Sequence, residues 1–142
     1  MPSPELDRLV TTGILSVEPP IRDEFLGLVR HAAATLRDSK NEGLAQESRF
    51  QLAYGAAHSI ALAALRWHGY RPRNRQIVFQ ALAHTLGTPA AVWRTLARSH
   101  DLRNRHEYEG EVGFDERLIQ DVIQSAEELL EAVRKLEAPE ET

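Results

Sequence analysis

The chain predicts an all-α bundle of four or five helices, and three observations carry that prediction. Apolar residues recur at steps of three and four through most of the sequence, the spacing that lines one face of an α-helix. No stretch alternates β-branched and polar residues as a half-buried strand would. Capping residues, prolines and glycines fall where they cut the chain into rods joined by short connections.

Ser3-Pro4-Glu5-Leu6 opens the first rod as a cap followed by proline at the first helical position, and Gly13 is its stop. Pro19-Pro20 then punctuates. Ile21, Phe25, Leu28, Val29, Ala32 and Leu36 mark an amphipathic helix that ends near Asn41-Glu42-Gly43. The next helix, Ala45 to His68, carries Phe50, Leu52, Ala53, Tyr54, Ala56, Ala57, Ile60, Ala61, Leu62, Ala64 and Leu65 and has almost no polar face. Such a helix is packed on several sides, and its alanines and Gly55 allow close approach. Arg71-Pro72-Arg73-Asn74-Arg75 reads as a basic loop, followed by Ile77, Val78, Ala81, Leu82 and Leu86 at helical spacing up to Gly87. Thr88-Pro89 restarts the chain, and Ala90 to about Tyr108 is a fourth long element. After the glycines at 110 and 113, Asp115 caps a last helix bearing Leu118, Ile119, Val122, Ala126, Leu129, Val133 and Leu136.

At 142 residues and 16.0 kDa the chain suits one helical domain. Its core spans about residues 20–137, residues 1–18 form a short helix and linker, and the acidic tail 138–142 is expected to fray. A hydrophobic share of 42% beside a charged share of 27% is that of a globular protein and not of a disordered segment. The absence of cysteine excludes disulfides, thiolate metal sites and thiol nucleophiles. No apolar run approaches the roughly 20 residues of a membrane span, and the N-terminus lacks a signal pattern, so no membrane association and a cytoplasmic location are expected.

The net charge of −4 conceals a strong asymmetry. Residues 66–106 hold eight arginines against Asp101 alone, whereas residues 107–142 hold twelve acids and three bases. The arginine segment therefore either meets an anionic ligand, nucleic acid or acidic partner, or pairs with the acidic C-terminal third. Guanidinium offers a planar fork of donors that fits phosphate, which lysine does not.

Chemistry concentrates between Arg98 and Gly110. The apolar seam of Val92 and Leu96 continues through Ser99, Arg103 and His106, so a face that should stay apolar turns polar. Arg94, Arg98, Asp101 and Arg105 form a second, wet and basic stripe. An unpaired buried arginine costs several kcal/mol. The polar end of the seam either emerges into solvent or lines a cleft where Arg103 fixes an anion and His106 or Tyr108 handles protons. His100 and His106 lie about 240° apart on a helix and share no face, and no metal-binding motif or cofactor signature is present, so no metal or cofactor is expected. His58, one turn after Tyr54, reads as a buried, hydrogen-bonded core histidine; His31 and His68 carry no signal. Trp67 and Trp93 read as core or interface anchors.

The helix order, the segment Trp67-His68-Gly69-Tyr70-Arg71-Pro72 and above all Leu102-Arg103-Asn104-Arg105-His106-Glu107-Tyr108 resemble the HEPN superfamily, over roughly residues 20–137. That family's signature is an arginine, often followed by asparagine, and a histidine after four to six positions. Here Arg103-Asn104 matches the front, with Tyr108 where a histidine would follow. In the other register His106-Glu107-Tyr108 matches the H-x-Y ending, with Asp101 in place of the arginine.

The resemblance implies a small two-fold homodimer belonging to a toxin–antitoxin or defence-type system. The expected function is a non-catalytic module that binds RNA, a nucleotide or a partner nucleotidyltransferase through an arginine-lined cleft. Arg103 is its central residue, with Asn104, Arg98, Arg105 and His100 in binding roles. The alternative is a metal-independent ribonuclease using Arg103, His106 and Tyr108 across a dimer groove, with the RNA 2′-hydroxyl attacking the adjacent phosphorus. An antitoxin partner fits either version. A third reading makes the arginines a purely structural contact to the acidic helix of a second chain.

Overall fold

The computed structural model describes residues 3–109 and 113–141, and side chains throughout these ranges other than those of residues 106–109. Its elements run α1 (Pro4–Thr11), β1 (Leu15–Val17), α2 (Arg22–Ser39), α3 (Gln46–Trp67), β2 (Tyr70–Pro72), α4 (Arg75–Gln80), α5 (Leu82–Thr85), α6 (Ala90–Glu109) and α7 (Glu116–Arg134). The described residues are thus mostly helical, as the periodicity predicts.

Helix α3 is the axis. Phe50, Tyr54, Ile60 and Leu65 are buried on it together with Ala53, Ala56, Ala57, Ala61, Ala63 and Ala64. It packs chiefly against α2 and α7 and also meets α4, α5, α6 and β2. Methyl-sized side chains let neighbouring axes come close. Helix α2 contributes Phe25, Ala32 and Leu36, and α7 contributes Ile119, Val122, Ile123, Ala126, Leu129 and Val133. Each fully buried aliphatic among them contributes about 1.5–3 kcal/mol. Caps hold the helix starts: Ser3 accepts from the Leu6 N–H, Asn74 from that of Ile77 and Asp115 from that of Leu118.

Three expectations are corrected here. A small antiparallel ladder exists where no strand was expected, pairing Leu15 with Pro72, Ser16 with Arg71 and Val17 with Tyr70. Three-residue strands are too short to show an alternation. The basic stretch from Arg71 is accordingly half strand and half helix start. Gly69 makes the turn into β2 at φ +88°, a conformation that side chains disfavour, and its carbonyl accepts from the Glu18 N–H at 2.9 Å. The helical pattern from Ile77 to Leu86 is split into α4 and α5. After α7 the chain lies against the end of α3 and the start of α2: the Trp67 indole donates to the Glu137 carbonyl at 2.7 Å and Arg22 to that of Pro139 at 3.2 Å.

A buried arginine joins these parts. The Arg66 side chain is 1% exposed, and its guanidinium donates to the Glu24 carboxylate and to the carbonyls of Glu18, Pro19 and Tyr70. Arg71 closes the cluster by bridging Glu18 and Glu24. Burial alone would raise the Glu24 carboxyl, but hydrogen bonds from Arg71 and Arg66 hold it below its ordinary value. Two of the eight arginines of the basic segment are therefore structural, and their partners come from the N-terminal part of the chain. The C-terminal Glu116 and Glu127 pair instead with Arg49 and Lys40.

Arg66→Ala leaves three carbonyls without this donor and the Glu24 carboxylate with Arg71 alone, and should cost about 3–5 kcal/mol. Arg71→Ala, at a half-exposed position, should cost about 1 kcal/mol or less. Urea denaturation midpoints of the two variants measure the contrast.

Candidate functional site

The inner face of α6 changes character along its length. Val92 and Leu96 are buried apolar residues, Ser99 is fully buried with its hydroxyl donating to the Thr95 carbonyl at 2.8 Å, and His100 is also buried. Beyond them Arg103 and Asn104 are half-buried, while Arg94, Arg98, Asp101 and Arg105 are exposed. As far as Arg103 the seam therefore remains against the bundle.

What receives it is Tyr54, buried on α3. The Arg103 guanidinium carbon lies 5.4 Å from the centre of the Tyr54 ring, within cation–π range. The Tyr54 hydroxyl is 2.8 Å from His100 Nδ1, and the Asn104 amide nitrogen is 3.2 Å from His100 Nε2. With the Asn104 amide nitrogen facing it, Nε2 acts as acceptor, so Nδ1 carries the proton and donates to the Tyr54 oxygen. Burial depresses the His100 imidazole, and Arg103 and Arg75 push the same way against the opposing pull of Asp101. His100 is thus a neutral imidazole with both nitrogens engaged. It positions Arg103's neighbourhood and is poorly disposed to exchange protons with a ligand.

A second imidazole stands one turn further along α3. His58 packs edge-on to Phe79 at a ring separation of 5.9 Å and lies 6.5 Å from the Tyr54 ring. Its Nε2 is enclosed and makes no hydrogen bond, which corrects the expectation of a hydrogen-bonded core histidine. The imidazole also lines a recess of about 230 Å³ together with Leu62, Pro72, Arg73, Asn74, Arg75 and Val78. Burial first, then the charges of Arg75, His100 when protonated, and Arg103, push His58 down to about 4. The recess and the Arg103 cluster consequently share one positive electrostatic neighbourhood.

Of the sequence-predicted site residues, the structure gathers Arg103, Asn104 and His100 around Tyr54. It leaves Arg98 and Arg105 exposed on the outer side of the helix. The side chains of His106 and Tyr108 lie outside the described residues. Sequence reasoning passed over Tyr54, Arg73, Arg75 and the recess role of His58; the one-turn spacing of Tyr54 and His58 was the available signal. Among the described residues no three His, Asp or Glu side chains are grouped to hold a metal. No described helix is long and apolar enough to cross a membrane. Comparison with protein-family models, with curated proteins and with solved structures finds no match to this chain.

Two outcomes test this geometry. Tyr54→Phe strands the buried Nδ1 of His100 and should destabilise the fold by about 1–3 kcal/mol, measured by chemical denaturation. His58 is neutral in the folded chain down to about pH 4, whereas the unfolded chain protonates it below about pH 6.5. The unfolded state then binds more protons, so stability is full above pH 6.5 and falls as pH drops toward 4. Over that window the wild type should lose up to about 3 kcal/mol relative to His58→Phe, which carries no titrating ring. Denaturation at pH 7, 5.5 and 4 measures the divergence.

Proposed function

We propose that the chain is a HEPN-like, dimeric helical module that binds single-stranded RNA through the arginine-bearing face of α6, within a toxin–antitoxin or defence-type setting. The observation that carries the reading is Arg103 laid on the Tyr54 ring beside the His100–Asn104 hydrogen bond. A guanidinium backed by an aromatic face has lost much of its rotational freedom before any ligand arrives, so its donors meet an anion at reduced entropic cost.

Three further considerations support it. The stretch Leu102–Tyr108 is where the resemblance to the family is sharpest. Arg98 and Arg105 stand about 10 Å apart on the outer side of the same helix, where an extended strand that reaches Arg103 at the helix edge would also meet them. Arginine planes and exposed edges are the groups on which unstacked RNA bases are held. Binding to a mononucleotide or to a partner nucleotidyltransferase is the competing use of the same face. The ribonuclease alternative, which draws on Arg103 and His106 across a dimer groove, gains no observation of its own, since the His106 side chain is not described.

Fluorescence anisotropy with a labelled single-stranded RNA tests the reading. Affinity should fall with salt at a log–log slope of about −2 for three phosphate contacts. Arg103→Ala should weaken binding about tenfold, and Arg98→Ala with Arg105→Ala should flatten the slope by about one to one and a half. Light scattering in parallel should give twice the monomer mass. No binding in low salt, or binding indifferent to Arg103, overturns the proposal; cleavage lost with Arg103→Ala replaces it with the ribonuclease.

A further inference from the structure

The recess between α3, β2 and α4 has a composition that the RNA-binding face does not explain. Two of its lining residues are Arg73 and Arg75, both exposed, and no carboxylate lines it. The chain holds 21 acidic residues, and elsewhere Arg49, Arg66 and Arg71 all find carboxylates. Among the described residues, however, Arg73 and Arg75 form no ion pair. His58 supplies an imidazole to the same space, with Arg103 behind it close enough to act on that ring electrostatically. Leu62, Pro72 and Val78 add apolar lining to the same space.

We propose that this recess is a phosphate-ester subsite, in which Arg73 and Arg75 hold the phosphate, His58 stands beside it as a titratable group, and Leu62, Pro72 and Val78 receive the sugar or carbon part of the ligand. The volume of about 230 Å³ lies below the ~300–1,000 Å³ typical of sites for whole small molecules. It admits a terminal phosphate and its sugar, with the remainder of the ligand outside. The subsite does not depend on the RNA reading, although a 5′-phosphorylated RNA end is one source of such a group.

The chemistry is reciprocal. The groups facing His58 are Arg75 from α4, His100 and Arg103 from α6, and Tyr54 one turn before it on α3. Burial and positive charge keep the His58 imidazole neutral. A phosphate placed among the arginines offsets that positive field and favours the imidazolium, so binding at low pH takes up a proton. The gain in affinity from His58 then builds as pH drops from the raised pKa to about 4, on top of the phosphate's own titration at about pH 6.

The experiment is a titration of the full chain with inorganic phosphate, a nucleoside 5′-monophosphate, and short RNAs carrying a 5′-phosphate or a 5′-hydroxyl. Imidazole ¹⁵N and ¹H resonances are followed at several pH values. All three phosphate-bearing probes should move the His58 signals, and its apparent pKa should rise by a unit or more at saturation. Arg75→Ala and Arg73→Ala, both surface substitutions, should each weaken phosphate binding about tenfold, and His58→Phe should leave only the pH dependence of the phosphate's own ionisation. A preference for 5′-phosphate over 5′-hydroxyl RNA assigns the source to an RNA end; equal binding of inorganic phosphate and ester removes the role given to the apolar lining. His58 resonances that stay fixed at millimolar phosphate, or affinities unchanged in the arginine variants, overturn the subsite. RNA that binds by anisotropy while His58 stays fixed sinks the subsite and spares the RNA face, and phosphate binding without RNA binding does the reverse.

Discussion

A helix without a polar face has to be surrounded, and α3 imposes that requirement on everything else in the molecule. Its alanine-rich surface draws α2 and α7 in along its length, with α6 and the short α4–α5 pair against its remaining side. Each polar group it carries into the interior then needs a partner from one of those elements. Arg49 takes the Ser39 carbonyl and Glu116; Tyr54 takes His100; Arg66 takes Glu24 and three carbonyls. Among these groups His58 is the exception, and it is the one that borders a recess. An enclosed nitrogen without a partner carries a desolvation cost that the fold alone does not explain.

The arginines divide along the same logic. Those with carboxylates facing them, Arg66 and Arg71, knit the β1–β2 ladder to the start of α2 and the end of α3. Those without them, Arg73 and Arg75, stand at the mouth of the recess. Arg94 rests 5.4 Å from the Trp93 ring centre, and Arg103 makes the corresponding contact with Tyr54 across two helices. The clustering of positive charge visible in residues 66–106 is therefore several arrangements of different purpose, and reading it as one patch blurs structural salt bridges with groups available to a ligand.

The long elements were legible because their information is local. Period, cap and stop all lie within one helix, as with Asp115 ahead of α7 or Ser3-Pro4 ahead of α1. The ladder of β1 and β2 was not, since three residues make no pattern and the pairing joins positions more than fifty apart. The inward turn of α6 near Arg103 could be read from its seam, yet its receiver, Tyr54, could not. An aromatic in an apolar helix looks the same whether it fills the core or anchors a guanidinium. The loop Arg71–Arg75 misled for a related reason: its first half is a strand, extended by the Arg73 N–H donating to the Ile14 carbonyl, a bond between positions far apart in the chain. His58 shows the limit most directly, because whether a core histidine is satisfied depends on what stands opposite, and that is a tertiary fact.

The ladder that ties Leu15 to Pro72 also has a temporal side. During vectorial synthesis the opening helix and strand emerge first, but the edge they require is not made until all of α3 and the turn at Gly69 have followed. Closing so long a loop costs chain entropy before any contact repays it. The ladder that β1 enters therefore cannot be completed until α3 and β2 are in place. Until then, Leu6 and Leu15, both enclosed in the finished molecule, remain in water.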